Sequence, residues 1–258
     1  MRSKHLLVAN WKMNCGPLQA RAYARELRSH AKTLSRTDVW IAPPIISLDS
    51  VSQELSGSTL TFGSQNVHWS TSGAFTGETA PSFITDLGGT FALAGHSERR
   101  HIFGESSELV AKRASGALSA GLTTIICIGE TESDRSAGKT EAVLREQLSP
   151  ALKVVSPEQA HLVIIAYEPV WAIGTGKVAT LLEIDHAHRF IATVWGEHGF
   201  SGTPVTLYGG SVNPGNFAEI LTLAAVDGAL VGGASLKLDQ WQQLMTIAEE
   251  NPVAATSL

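Results

Sequence analysis

The chain has 258 residues, 43% hydrophobic and 17% charged, with a formal net charge of −5. This acidic balance excludes a broad basic surface for nucleic acid, and two cysteines outside any CxxC or Cys/His cluster exclude a disulfide framework or a thiolate metal site. No apolar run nears the roughly 18 residues of a membrane span, and Asn10 and Lys12 interrupt the N-terminal run too early for a signal segment, so a cytoplasmic protein is expected.

Eight short apolar runs follow in order, at residues 6–9, 39–42, 60–63, 91–94, 123–128, 162–167, 205–208 and 229–231. Each is rich in Val, Ile, Leu or aromatic residues and apolar almost throughout, the pattern of strands buried on both faces of a parallel sheet. Amphipathic, helix-favouring stretches lie between several of them, at residues 18–32, 105–120, 140–154, 181–198 and 216–224. Gly121 and Gly199 stand just past two of these as stop signals. The Ser-rich stretch 47–58 reads as an exposed helix and loop. Eight strands alternating with helices predict an α/β fold, a single (β/α)8 barrel with a parallel eight-stranded core. No linker or close repeat divides the chain, so residues 1–258 are expected to form one domain, with 251–258 a fraying tail.

In such a barrel the chemistry sits where strands end and the following loops begin. After the first run stand Asn10 and Lys12. Lys12 is either a snorkelling surface cation or a fixed charge in the barrel mouth, and Asn10 can equally be a turn residue. After the fourth run, His96 precedes Ser97 and Glu98, which read as a helix start. A helix N-terminus disfavours imidazolium, so His96 is expected to stay neutral and donate a hydrogen bond, as suits a group that polarises a carbonyl. His186 and His188, two apart on a predicted helix, face different sides and are read as solvent-facing.

Glu168 ends the sixth run and is held extended by Pro169. A carboxylate there is costly unless paired or functional, and apolar walls suit it to general-base work; a salt-bridged structural Glu is the alternative. The segment after it, with Trp171, Ile173, Gly174 and Gly176, has the composition of a lid. The last two runs end in Gly209-Gly210-Ser211 and Gly232-Gly233. Paired glycines allow close backbone approach, and phosphate sites in these barrels commonly form at these two positions. Cys127, inside a run, reads as a buried apolar filler, and Cys15 has no identifiable base nearby in sequence. No motif for a metal or nucleotide cofactor is present.

The segments Asn10 to Asn14, Gly73 to Glu78, Gly95 to Arg100, Cys127 to Glu130, Ala166 to Lys177, Tyr208 to Val212 and Leu230 to Leu236 together resemble the triosephosphate isomerase family, in order and over nearly the whole chain. The family is a worked example of a glutamate base, a neutral histidine and a closing loop. The resemblance implies interconversion of dihydroxyacetone phosphate and D-glyceraldehyde 3-phosphate, a step of glycolysis and gluconeogenesis, through an enediol(ate) and without a cofactor. It implies Glu168 as base, His96 as neutral electrophile, Lys12 as positive charge toward the substrate, and Asn10 as orienting group. Backbone N–H groups near Gly174, Ser211, Gly232 and Gly233 would bind the phosphate, and Glu98 would lie behind Lys12 and His96. The resemblance also implies a homodimer, with Phe75, Thr76, Gly77 and Glu78 on a loop inserted into the neighbouring subunit and Thr76 near its site. No metal, nucleic acid or membrane partner is expected. Two other readings share these residues: an isomerase of another short ketose phosphate, such as a tetrulose phosphate, and a silent sugar-phosphate-binding barrel.

Overall fold

The structure is a computed structural model that describes residues 4–174 and 176–253. Eight strands form its centre: β1 (His5–Asn10), β2 (Thr37–Ala42), β3 (Thr61–Ser64), β4 (Phe91–Ala94), β5 (Thr123–Ile128), β6 (Val163–Tyr167), β7 (Val205–Tyr208) and β8 (Gly228–Val231). All neighbours are parallel, and β1 pairs with both β2 and β8, so the sheet closes in sequence order. The helices are α1 (Pro17–His30), α2 (Leu48–Leu55), α3 (Pro81–Asp86), α4 (Ser97–His101), α5 (Ser107–Ser119), α6 (Glu132–Ser136), α7 (Thr140–Leu152), α8 (Leu181–Glu197), α9 (Phe217–Ile220) and α10 (Leu238–Glu250). The fold is the (β/α)8 barrel that the eight apolar runs predict.

The near-continuous apolar character of the runs has a direct cause. Successive side chains of a strand point to opposite faces, and here both faces are dry. Leu6 and Val8 turn into the barrel with Leu93, Ile125, Cys127 and Ile164, while Leu7 and Ala9 turn outward against the helices. Gly121 and Gly199 have φ of +77° and +84° and directly follow the residues that cap α5 and α8, as the stop signals require. At the base of the barrel, the Glu249 carboxylate accepts from Ser35 N–H and Arg36 N–H and so ties α10 to the entry of β2.

Three expectations need correction. His188 is not solvent-facing: it is 1% exposed, and its Nδ1 lies 2.9 Å from Ala225 O and 3.0 Å from Thr206 Oγ1. It sits on the face of α8 that carries Ile184, Ile191 and Trp195 into the layer against the barrel, and its ring is held there through Nδ1. His186, two residues earlier, does face solvent and pairs with Glu141 at 3.0 Å. The stretch 47–58 is only half exposed, because α2 buries Leu48, Val51 and Leu55. The stretch 216–224 forms only the short α9, and Leu221 to Val226 continue as turns. The expected fraying tail lies outside the described residues from position 254 onward, while Asn251 is anchored through Nδ2 to Ile247 O at 2.7 Å.

Candidate active site

The parallel order puts all eight strand C-termini at one mouth, so residues distant in sequence meet there. Glu168 directly follows β6, and its N–H continues the ladder by donating to Ile128 O at 2.7 Å. The side chain is 2% exposed. Its Oε2 accepts from Ser97 N–H at 2.8 Å, and its Oε1 lies 3.1 Å from His96 Nε2. His96 is the N-cap of α4, and its Nδ1 accepts from Glu98 N–H at 3.3 Å. An imidazole whose Nδ1 accepts is neutral and carries its proton on Nε2. That proton faces Glu168.

Gly209 has a specific reason to be glycine: a Cβ built there would stand 2.8 Å from Glu168 Cγ. At Gly129 a Cβ would run into the Glu168 carbonyl. Both glycines therefore make room for the carboxylate-bearing residue. Cys127 lies inside the barrel beside Glu168, and burial pushes its thiol well up, so it stays a neutral filler.

Lys12 has a φ of +51°, in the left-handed region that non-glycine residues rarely adopt. Three bonds hold it there. Its N–H donates to Asn10 Oδ1 at 3.0 Å, its carbonyl accepts from Gln65 Nε2 at 2.9 Å, and its Nζ meets Glu98 Oε1 at 2.6 Å. Because Asn10 Oδ1 is engaged, its NH2 is the end able to donate into the site. Glu98 lies behind both groups, 3.5 Å from His96 Nδ1 through its other oxygen. A Cβ at Gly232 would stand 3.3 Å from Lys12 Cε, so the lysine stem passes beside the turn after β8.

Asn10, Lys12, His96, Glu168, Gly174, Ser211, Gly232 and Gly233 all line one cavity of about 350 Å³. That size falls within the range of small-molecule sites. One end carries the carboxylate and imidazole; the other is made of backbone after β7 and β8. Ser211 Oγ donates to Ala172 O at 2.6 Å, which leaves its N–H as the group to meet a ligand.

A family model described as triosephosphate isomerase matches residues 5–248. Proteins named triosephosphate isomerase from Klebsiella pneumoniae, Carboxydothermus hydrogenoformans and Endomicrobium trichonymphae are 43%, 41% and 40% identical to the chain. These similarities cover 94–95% of the chain and 96–98% of each relative. The chain belongs to the triosephosphate isomerase family. It is an enzyme of the isomerase class.

The segment read as a lid, Pro169 to Lys177, is anchored at both ends by contacts that the sequence reading did not foresee; Thr175 lies outside the described residues. Trp171 is buried at the first root, and its Nε1 donates to Glu130 Oε1 at 2.8 Å, an oxygen that also accepts from Tyr167 OH at 3.1 Å. Burial pushes the Glu130 carboxyl up despite these donors. The Arg135 guanidinium lies 4.1 Å from the Trp171 ring centroid and pairs with Glu183, which also accepts from Thr180 N–H at the second root. Lys177 Nζ meets Glu132 at 2.8 Å. Thus Trp171 anchors the first root, while Ile173 and Gly174 line the cavity.

The residues read from the sequence as catalytic or substrate-binding come to this mouth, with Glu98 behind Lys12 and His96. The loop of Phe75, Thr76, Gly77 and Glu78 lies to one side: Gly77 and Glu78 border a neighbouring cavity of about 370 Å³ that shares Asn10, Lys12 and His96. Phe75 is 42% exposed and packs on His68, ring centroids 4.0 Å apart. Glu78 pairs with the buried Arg113 at 2.9 Å. Two functional contacts were not foreseen, Ser97 N–H on Glu168 and Gln65 on Lys12. Neither had a signal in the sequence, since one is a backbone group and the other lies 53 residues from its partner.

Proposed function

We propose that this chain interconverts dihydroxyacetone phosphate and D-glyceraldehyde 3-phosphate, with Glu168 as the base and neutral His96 as the electrophile. The observation that carries the reading is the pairing of Glu168 Oε1 with His96 Nε2 at 3.1 Å inside a cavity whose far end is backbone from the turns after β7 and β8.

With substrate bound, the Nε2–H that faces Glu168 becomes the donor to the oxygens on C1 and C2. The carboxylate takes a proton from one carbon and returns it to its neighbour. Negative charge develops on the oxygens in between, where His96 Nε2–H, the Asn10 NH2 and the Lys12 ammonium converge. Glu98 keeps Lys12 aimed at the cavity. The N–H groups of Gly174, Ser211, Gly232 and Gly233 bind the phosphate, and closing the lid excludes water from the charged intermediate. The proton is the one group moved, so no cofactor enters the reaction.

Replacing Glu168 by Ala is expected to lower turnover by about 10²–10⁴, measured in a coupled assay with either triose phosphate. Near-normal isomerisation in that variant would remove Glu168 as base.

The same proposal includes a homodimer in the cytoplasm. Its support is a set of exposed apolar side chains near the mouth: Met13 (95% exposed), Ile46 (73%) and Phe103 (68%), together with Phe75. A third cavity of about 690 Å³, lined by Met13, Cys15, Tyr23 and Ile46, offers room for a loop such as that of Phe75. Two copies exchanging that loop make a self-complementary interface, with Thr76 reaching toward the partner's site. Among the described residues no helix is long and apolar enough to cross a membrane.

A further inference from the structure

Tyr23 stands on α1, outside the cavity that holds the site. Its hydroxyl donates to the Ser235 carbonyl at 2.7 Å, across 212 residues of sequence. Ser235 is fully buried in the 3₁₀ turn Gly233–Leu236. The Ser235 hydroxyl and N–H both donate to Gly232 O, at 2.7 and 2.9 Å. These three bonds orient the turn whose Gly232 and Gly233 line the cavity.

Two adjacent glycines have more backbone freedom than any other pair, so their amides stay aligned for a ligand only if something else holds them. The ring of Tyr23 is itself fixed, packed edge-on against Trp11 with centroids 5.0 Å apart and an interplanar angle of 66°. Trp11 lies between Asn10 and Lys12, so one side chain braces the strand end that carries the lysine and the turn that carries the glycines. Burial pushes the Tyr23 phenol up, which keeps it a hydrogen-bond donor throughout the working pH range.

We propose that Tyr23 is a positioning residue for the phosphate end of the site: acting through Ser235, it holds the Gly232 and Gly233 amides in register for a phosphate monoester. The inference rests on the phosphate reading of the turns after β7 and β8. The substrate is not touched by Tyr23 itself.

The test is Tyr23→Phe, which keeps the ring and removes the one hydroxyl, with inorganic phosphate as a competitive inhibitor of triose-phosphate turnover. The phosphate Ki and the substrate KM are expected to rise together by about 3- to 10-fold, the range of one hydrogen bond. The kcat should stay within about twofold, because a phosphate contact is made equally in the ground and transition states. Ser235→Ala cuts the next link and should shift Ki similarly, and the double variant should add little to the larger single effect. A merely structural Tyr23 would lower the melting temperature and leave Ki and KM unchanged, which would overturn the inference. A fall in kcat with Ki unchanged would overturn it as well. If Tyr23→Phe fails to fold, Ser235→Ala decides: an unchanged Ki there refutes the chain of contacts. Wild type insensitive to inorganic phosphate would refute the phosphate reading itself, a result separable from wild type that is inhibited and a Tyr23→Phe variant with the same Ki.

Discussion

A buried ionisable side chain is tolerated where its hydrogen bonds are satisfied and its useful protonation state is the one the surroundings favour. Glu168 meets the first condition with Ser97 N–H and His96. His188 meets both. Its Nδ1–H has the Ala225 carbonyl at 2.9 Å, while Nε2 has no partner, so a proton added there would be buried without an acceptor. Burial accordingly lowers its pKa to about 4. The folded state therefore refuses a proton that the unfolded chain accepts below about pH 6.5. The stability contributed by neutral His188 is full above that pH and is lost as pH falls to about 4, on the order of 3 kcal/mol over the window. Urea unfolding of wild type and His188→Gln at pH 7 and pH 4.5 is the check. Wild type should lose more stability between the two pH values than the variant, and parallel losses would exclude His188 as the source.

Single elements show how far local patterning reaches. Thr180 and Glu183 form a reciprocal capping box that starts α8 just after the segment 169–177, and Thr131 and Asp134 do the same for α6 after β5. Both helix starts can be read from adjacent residues. What joins them cannot: Arg135 on α6 stacks on Trp171 and pairs with Glu183, linking the two roots of the lid. Arg135→Ala should free both roots and raise the frequency with which residues 169–177 open. Limited trypsin digestion reads this directly, because Lys177 lies in the segment with its side chain 59% exposed. Cleavage after Lys177 is expected to speed up by about fivefold or more, in line with the larger open population, and an unchanged rate would show that the lid is held by other contacts.

At the scale of the whole molecule, barrel closure converts sequence distance into proximity. Lys12 and Glu98 are 86 residues apart and Glu168 and Ser97 are 71 apart, yet each pair is in hydrogen-bond contact. The same geometry leaves Met13, Ile46, Phe75 and Phe103 exposed near the mouth, a larger apolar presence than a lone chain needs. Sedimentation velocity is expected to show about twice the chain mass for wild type and a single chain for Phe75→Glu, with reduced turnover in the variant. A monomeric wild type with full activity would remove the dimer reading.

The number, order and type of the strands were legible in the amino acids alone, because a strand buried on both faces must be apolar at every position. The places of Glu168, His96, Lys12 and the two glycine pairs at strand ends were legible too, but each also had a structural reading, and their roles came from the family resemblance. His188 was misread because a single histidine on an amphipathic helix carries no mark of which face is buried; that depends on Thr206 and Ala225, 18 and 37 residues away. The lid anchors, the support of Lys12 by Gln65 and the bond from Tyr23 to Ser235 were equally invisible. Local sequence determines which groups are available, whereas only closure of the barrel decides which of them meet, because that depends on positions set by all eight strands together.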